Sequence, residues 1–164
     1  MKKAGTVAAD YGQFYVYDAG EGLADPRRAE VFNRQSLGRG LAVARTFMAV
    51  FTIRQAGDVP IEVEALGTKP LPELDAWDHV VEGSIEVPSG RLVIGSWDDT
   101  GPTLEVTVPP GSCRVRVRAH GLDETDDPGE ERDAYTLQVW TEPPSPPALL
   151  KGWAGYEARI RGMP

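Results

Sequence analysis

The stretch Leu104-Glu105-Val106-Thr107-Val108-Pro109-Pro110-Gly111-Ser112-Cys113-Arg114-Val115-Arg116-Val117-Arg118-Ala119-His120 decides the fold. Two runs of period two flank a Pro-Gly turn. In the first, Leu104, Val106 and Val108 alternate with Glu105 and Thr107. In the second, Cys113, Val115, Val117 and Ala119 share one side, and Arg114, Arg116 and Arg118 share the other. Successive side chains of a strand point to opposite faces, so this period marks a strand with one buried face. Glycine after proline suits the positive φ of a type II turn. The reading is an antiparallel hairpin whose arginines face outward and pair with carboxylates such as Glu105 across the turn.

The same period recurs along the chain. Phe14, Val16 and Asp18 alternate with Tyr15 and Tyr17, and Phe47 to Phe51 is apolar on both faces, as a central strand would be. Ile61, Val63 and Ala65 point inward while Glu62 and Glu64 point outward. Val81, Gly83, Ile85 and Val87 lead into the turn Pro88-Ser89-Gly90, after which Arg91 to Trp97 reads as the partner strand. Tyr135, Leu137 and Val139 form a last strand. Asp25-Pro26 reads as a helix start, but Ser36, Gly38 and Gly40 keep any helix short. With 18 glycines and 14 prolines in 164 residues, many short elements joined by turns are expected. The fold class is therefore all-β: an antiparallel β-sandwich, or an open barrel, of about eight short strands with at most one short helix. Residues 1–142 read as the sandwich domain and 143–164 as a Pro-rich linker and C-terminal tail. Trp153 and Tyr156 would let that tail pack back as a clamp; a disordered tail is the alternative.

The net charge is −8, and it is uneven. Residues 55–110 carry two basic and eleven acidic residues, a net −9, whereas residues 1–54 come to +3 and residues 111–164 to −2. An acidic surface argues against direct contact with nucleic acid or anionic membranes and permits a basic protein partner. The candidate partner-binding residues are Glu62 and Glu64 on their strand face, with Asp123, Glu124, Asp126, Asp127, Glu130 and Glu131 in the densest acidic loop. The plainer reading of both groups is a solvated sheet face and an exposed hairpin loop.

Little else carries chemistry. The single cysteine, Cys113, lies on the inward side of its strand and reads as an inert core thiol in a reducing, cytoplasmic protein. The basic start Met1-Lys2-Lys3 is not followed by an apolar run long enough for a signal peptide, and no apolar run reaches membrane-spanning length. No phosphate-binding glycine loop, nucleophile elbow or zinc motif is present. His79 and His120 each lie near acids and would hold a metal only if their loops met. Trp77, Trp97, Trp140 and Trp153 invite a carbohydrate platform, though four tryptophans are ordinary in an all-β core.

Two stretches carry a resemblance. Asp10-Tyr11-Gly12-Gln13-Phe14-Tyr15-Val16-Tyr17-Asp18, and Val108-Pro109-Pro110-Gly111 followed by Tyr135-Thr136-Leu137-Gln138-Val139-Trp140, are similar in order and spacing to the competence protein J family. The resemblance implies a non-enzymatic cytoplasmic inhibitor of a bacterial DNA-entry nuclease. The Asp123–Glu131 loop and the Pro-rich tail have no counterpart in that pattern, and no inhibitory residue is carried over. The expectation is a cofactor-free, metal-free binding protein, an inhibitor or immunity-type partner of a basic nuclease. The alternative is a small-ligand or carbohydrate-binding domain using exposed tryptophans such as Trp97 and Trp140.

Overall fold

The computed structural model describes residues 1–98, 100–123 and 130–162. Among these residues eleven strands make two sheets. The strands are β1 (Lys2–Ala8), β2 (Gln13–Asp18), β3 (Leu41–Val43), β4 (Phe47–Phe51), β5 (Asp58–Ala65), β6 (His79–Val87), β7 (Arg91–Gly95), β8 (Leu104–Thr107), β9 (Gly111–His120), β10 (Ala134–Thr141) and β11 (Ala148–Lys151). Their order is β1-β5-β10-β9-β6-β11 in the first sheet and β3-β4-β2-β7-β8 in the second. Every pair is antiparallel except β5 with β10. The sheets pack as a sandwich and do not close into a barrel. Among the described residues, no helix is long and apolar enough to cross a membrane.

The core is the pair of inward faces. Phe14, Val16, Met48, Leu92 and Ile94 of the second sheet meet Val63, Val81, Val115, Leu137 and Val139 of the first, none more than 2% exposed. Phe14 and Tyr135 bridge the layers edge to face, with centroids 5.4 Å apart. Gly83 is needed here, because a Cβ on it would lie 2.8 Å from Val43. The apolar outer face of β4 is also covered. Phe32 packs on Phe51, and the Arg28 guanidinium stacks over Tyr15 and Phe47.

Among the described residues three short α-helices are present where at most one was expected: α1 (Arg28–Val31), α2 (Arg34–Arg39) and α3 (Ala154–Arg161). Ser36 and Gly38 do not break the second. The Asn33 side chain accepts from the Ser36 N–H while the Ser36 hydroxyl accepts from the Asn33 N–H, a reciprocal cap. Gly38 lets α3 approach, since its Cβ would fall 2.7 Å from the Ile160 side chain. Gly40, at φ 73°, ends the helix.

Both Pro-Gly turns join opposite sheets rather than making hairpins. β6 lies in the first sheet and β7 in the second; β8 lies in the second and β9 in the first. The two corners pack on each other, with the Val108 N–H donating to Gly90 O at 2.9 Å. A turn signal between two alternating runs looks the same whether the chain returns beside itself or steps about 10 Å to the facing sheet.

The tail is ordered through α3. Residues 143–147 run extended, β11 adds to the edge of the first sheet beside β6, and α3 lies against α2. Tyr156 is 2% exposed and donates its hydroxyl to Phe51 O at 2.5 Å.

Candidate protein-docking surface

The outer face of the first sheet is where the sequence placed its charges. Arg114, Arg116 and Arg118 do share that face, but they are buried at 3%, 0% and 8% exposure. Their partner is not Glu105, which instead meets Arg91 across β7 and β8 at 3.5 Å. For Arg114 and Arg116 it is Glu82 on β6, itself 4% exposed, which accepts from Arg116 Nε at 2.8 Å and Arg114 Nε at 3.2 Å. Two proline-rich segments cover the arginines. Arg116 Nη1 donates to Pro70 O and Leu71 O, and Arg114 donates to Ser145 O and Pro146 O. Proline brings a carbonyl without an N–H, so such segments cannot complete a ladder. Guanidinium groups with fixed forks of donors satisfy those carbonyls instead. Arg118 stacks over Trp77 at 4.4 Å. The basic stripe is thus a buried fastening and no phosphate-binding face.

Glu62 and Glu64 lie on the same face nearer the β1 edge. Glu62 pairs with Lys2 at 2.8 Å. Lys2 is held above its ordinary value of 10.5 chiefly by that hydrogen bond and charge, with Glu64 adding to it.

The residues flanking the acidic loop are fixed at one end of the sandwich. Leu122 N–H donates to Asp78 Oδ2, and Gly121 takes φ 74° against the Arg132 backbone, where a Cβ would clash. On the returning side Asp133 is fully buried. Its carboxylate accepts from Arg54 Nε at 2.8 Å, Ile53 N–H at 3.0 Å and the Tyr135 hydroxyl at 2.7 Å. Of the loop residues designated from sequence, Asp123 accepts from Trp153 Nε1 and is exposed, as is Glu130, and Glu131 is half-buried with its carbonyl on Arg54. Glu124, Asp126 and Asp127 lie outside the described residues. Glu62 shares a groove with His120, the last residue of β9.

The same end carries two aromatic rings: Trp97, which the sequence offered as an exposed tryptophan, and Tyr11, which sequence reasoning did not single out. Tyr11 is 81% exposed and Trp97 44% exposed, with ring centroids 6.5 Å apart. Tyr11 and Gly12 are the central residues of a two-residue turn closed by Asp10 and Gln13, at φ 56° and 73°. Gly12 N–H donates to Gln55 O and Thr52 N–H to Gly12 O, which locks the turn to the β4–β5 loop. A tyrosine in a left-handed turn position was the available signal, but the positive φ is visible only in the fold.

The other chemical candidates are committed elsewhere. His79 donates Nε2–H to Arg39 O at 2.6 Å and accepts the Trp153 N–H on Nδ1, so neither nitrogen can ligate a metal. Among the described residues, no group of three metal-binding side chains is present. Trp140 is 2% exposed beneath Arg116, which excludes it from a sugar platform. Cys113 is buried in the core, and burial pushes its thiol up to about 11.

The geometry defines a two-sheet sandwich with loops gathered at one end. No protein-family model matches the chain, and no curated protein matches it by sequence. Solved structures do share the fold. ComJ of Bacillus subtilis, an inhibitor of the DNA-degrading activity of NucA, superposes with a TM-score of 0.62 at 15% identity, over 85% of this chain and 96% of its own. The protein of crocagin biosynthetic gene J superposes with a TM-score of 0.58 at 19% identity, over 87% of this chain and 98% of its own. These likenesses are of fold, and they support the resemblance carried by Asp10–Asp18 and Val108–Trp140.

Proposed function

We propose that the protein is a non-enzymatic inhibitor that binds a basic nuclease and blocks its access to DNA. The observation that carries this reading is the likeness of nearly the whole fold to a nuclease inhibitor. Charge supports it. A nuclease presents a basic cleft to its substrate, and an acidic domain is steered toward such a cleft. The partner-facing carboxylates are those of the loop end, Asp123, Glu130 and Glu131, with Glu62 and Glu64 on the outer face of the first sheet. The nucleophile and base candidates, Cys113 and His79, are spent on packing, which favours binding over catalysis. A buried, unpaired thiol suits a reducing cytoplasm.

The test is a titration of purified Bacillus subtilis NucA with the protein, read as loss of DNA cleavage. In parallel, proteins captured on it from its own host are identified by mass spectrometry and assayed as nucleases. Inhibition that weakens as salt rises is expected. No inhibition of NucA, together with no nuclease among the captured proteins, would remove this reading.

A further inference from the structure

The loop end of the sandwich holds a turn that is poorly chosen for stability. Tyr11 occupies the first central position of a turn with both φ values positive, where Asn, Asp or Gly is preferred. Its ring is 81% exposed and contacts Trp97, itself on a solvent-facing loop. Burial does not explain the tyrosine, and local backbone preference opposes it. Strained positions of this kind persist where surrounding structure holds them and cluster at ligand contacts. Here the holding is done by the Gly12–Gln55 and Thr52–Gly12 hydrogen bonds.

Acidic residues flank both rings in the chain. Asp10 flanks Tyr11, Asp58 follows the β4–β5 loop, Asp98 follows Trp97, and Glu130 lies on the neighbouring loop. Of the arginines that reach these loops, Arg54 is spent on buried Asp133 and Arg159 donates to Thr52 O and Ile53 O, while Arg132 is exposed beside Glu131. The Ser96 and Thr100 hydroxyls donate to the Asp98 carboxylate, at 2.9 Å and 2.7 Å, and keep it ionised. Aromatic anchors ringed by charge are the usual composition of a protein–protein hot spot.

We infer that the protein docks through this end, with Tyr11 and Trp97 inserted against a basic protein surface and the surrounding carboxylates meeting its cationic rim. The inference rests on the inhibitor reading and names the surface that performs it. Face and end are separable. The corners at 88–90 and 109–111 lie at the opposite end, because β2 runs from Gln13 beside Tyr11 to Asp18, which is bonded to Ser89.

The experiment titrates Bacillus subtilis NucA with the wild-type protein and with three variants. Y11N replaces an unfavoured turn residue by a favoured one, so its melting temperature should rise by about 2–4 °C while its inhibition weakens at least about thirtyfold. W97A should weaken inhibition similarly with an unchanged far-UV spectrum. E86Q removes one negative charge at the far end and should leave inhibition within about twofold. If the wild type inhibits and Y11N and W97A inhibit equally well, the end surface is not the docking site and the inhibitor reading stands alone. If E86Q is the variant that weakens inhibition, the opposite end docks and the inference fails. If the wild type does not inhibit NucA and captures no nuclease from its own host, both fall together.

Discussion

Asp18 fastens Ser89. The carboxylate at the end of β2 accepts the Ser89 backbone N–H at 2.9 Å and its hydroxyl at 2.5 Å on one oxygen, and the Gly20 and Glu21 N–H groups on the other. The corner that carries the chain from one sheet to the other is thereby tied to the middle of the second sheet. Burial pushes the Asp18 carboxyl up, but the bonds from Ser89, Glu21 and Gly20 outweigh it and hold it below its ordinary value of 3.8. A depressed carboxylate stabilises the fold above the unfolded value and loses that contribution as pH falls through the folded one. D18N should cost about 2–3 kcal/mol at neutral pH. The difference from wild type, measured by urea unfolding, should shrink below about pH 4. A difference that stays constant down to pH 2 would mean that the charge on Asp18 is not engaged.

Glu82 supports two buried guanidinium groups. E82Q should therefore cost about 3–5 kcal/mol, because removing one partner of a buried pair leaves uncompensated charge. The exposed pair of Arg45 with Glu86 is 2.6 Å long, yet E86Q should cost less than about 1 kcal/mol. Denaturant midpoints of the two variants make the comparison. Equal losses would show that Glu82 is as solvated as Glu86.

His79 couples the tail to acid. Desolvation lowers its pKa below the ordinary 6.5, although the bond to Arg39 O works the other way. The unfolded chain then binds a proton that the folded chain refuses, so stability declines as pH falls below 6.5 toward the folded value. Thermal melts between pH 7 and about pH 5 should show this slope, and H79Q should flatten it. A wild-type slope unchanged in H79Q would assign the effect to other groups.

Cys113 should be silent in the native state. Its thiol is buried and pushed up to about 11, so thiolate is scarce at pH 8 and reagents cannot reach it. A chromogenic disulfide reagent should label the protein only after denaturation. Prompt labelling of the folded protein would contradict the packing of β9 against the core.

The all-β class was legible in the sequence, because alternation at period two is a local property of the chain; that the strands make two open sheets rather than a barrel came from the fold. Ile61 and Val63 were assigned to the inside correctly, and so were Val115 and Cys113. The acidity of the chain and the outward side of Glu62 and Glu64 were equally legible. Only the tertiary structure decided which sheet each strand joins, since a Pro-Gly turn serves a corner as well as a hairpin. Only it decided the fate of Arg114, Arg116 and Arg118. Alternation separates the two faces of a strand but cannot say that proline-rich segments 46 and 31 residues away in sequence will cover the outer one. The exposed pair Tyr11 and Trp97 is of the same kind. Each residue is unremarkable locally, and the surface exists because three loops meet at one end of the sandwich.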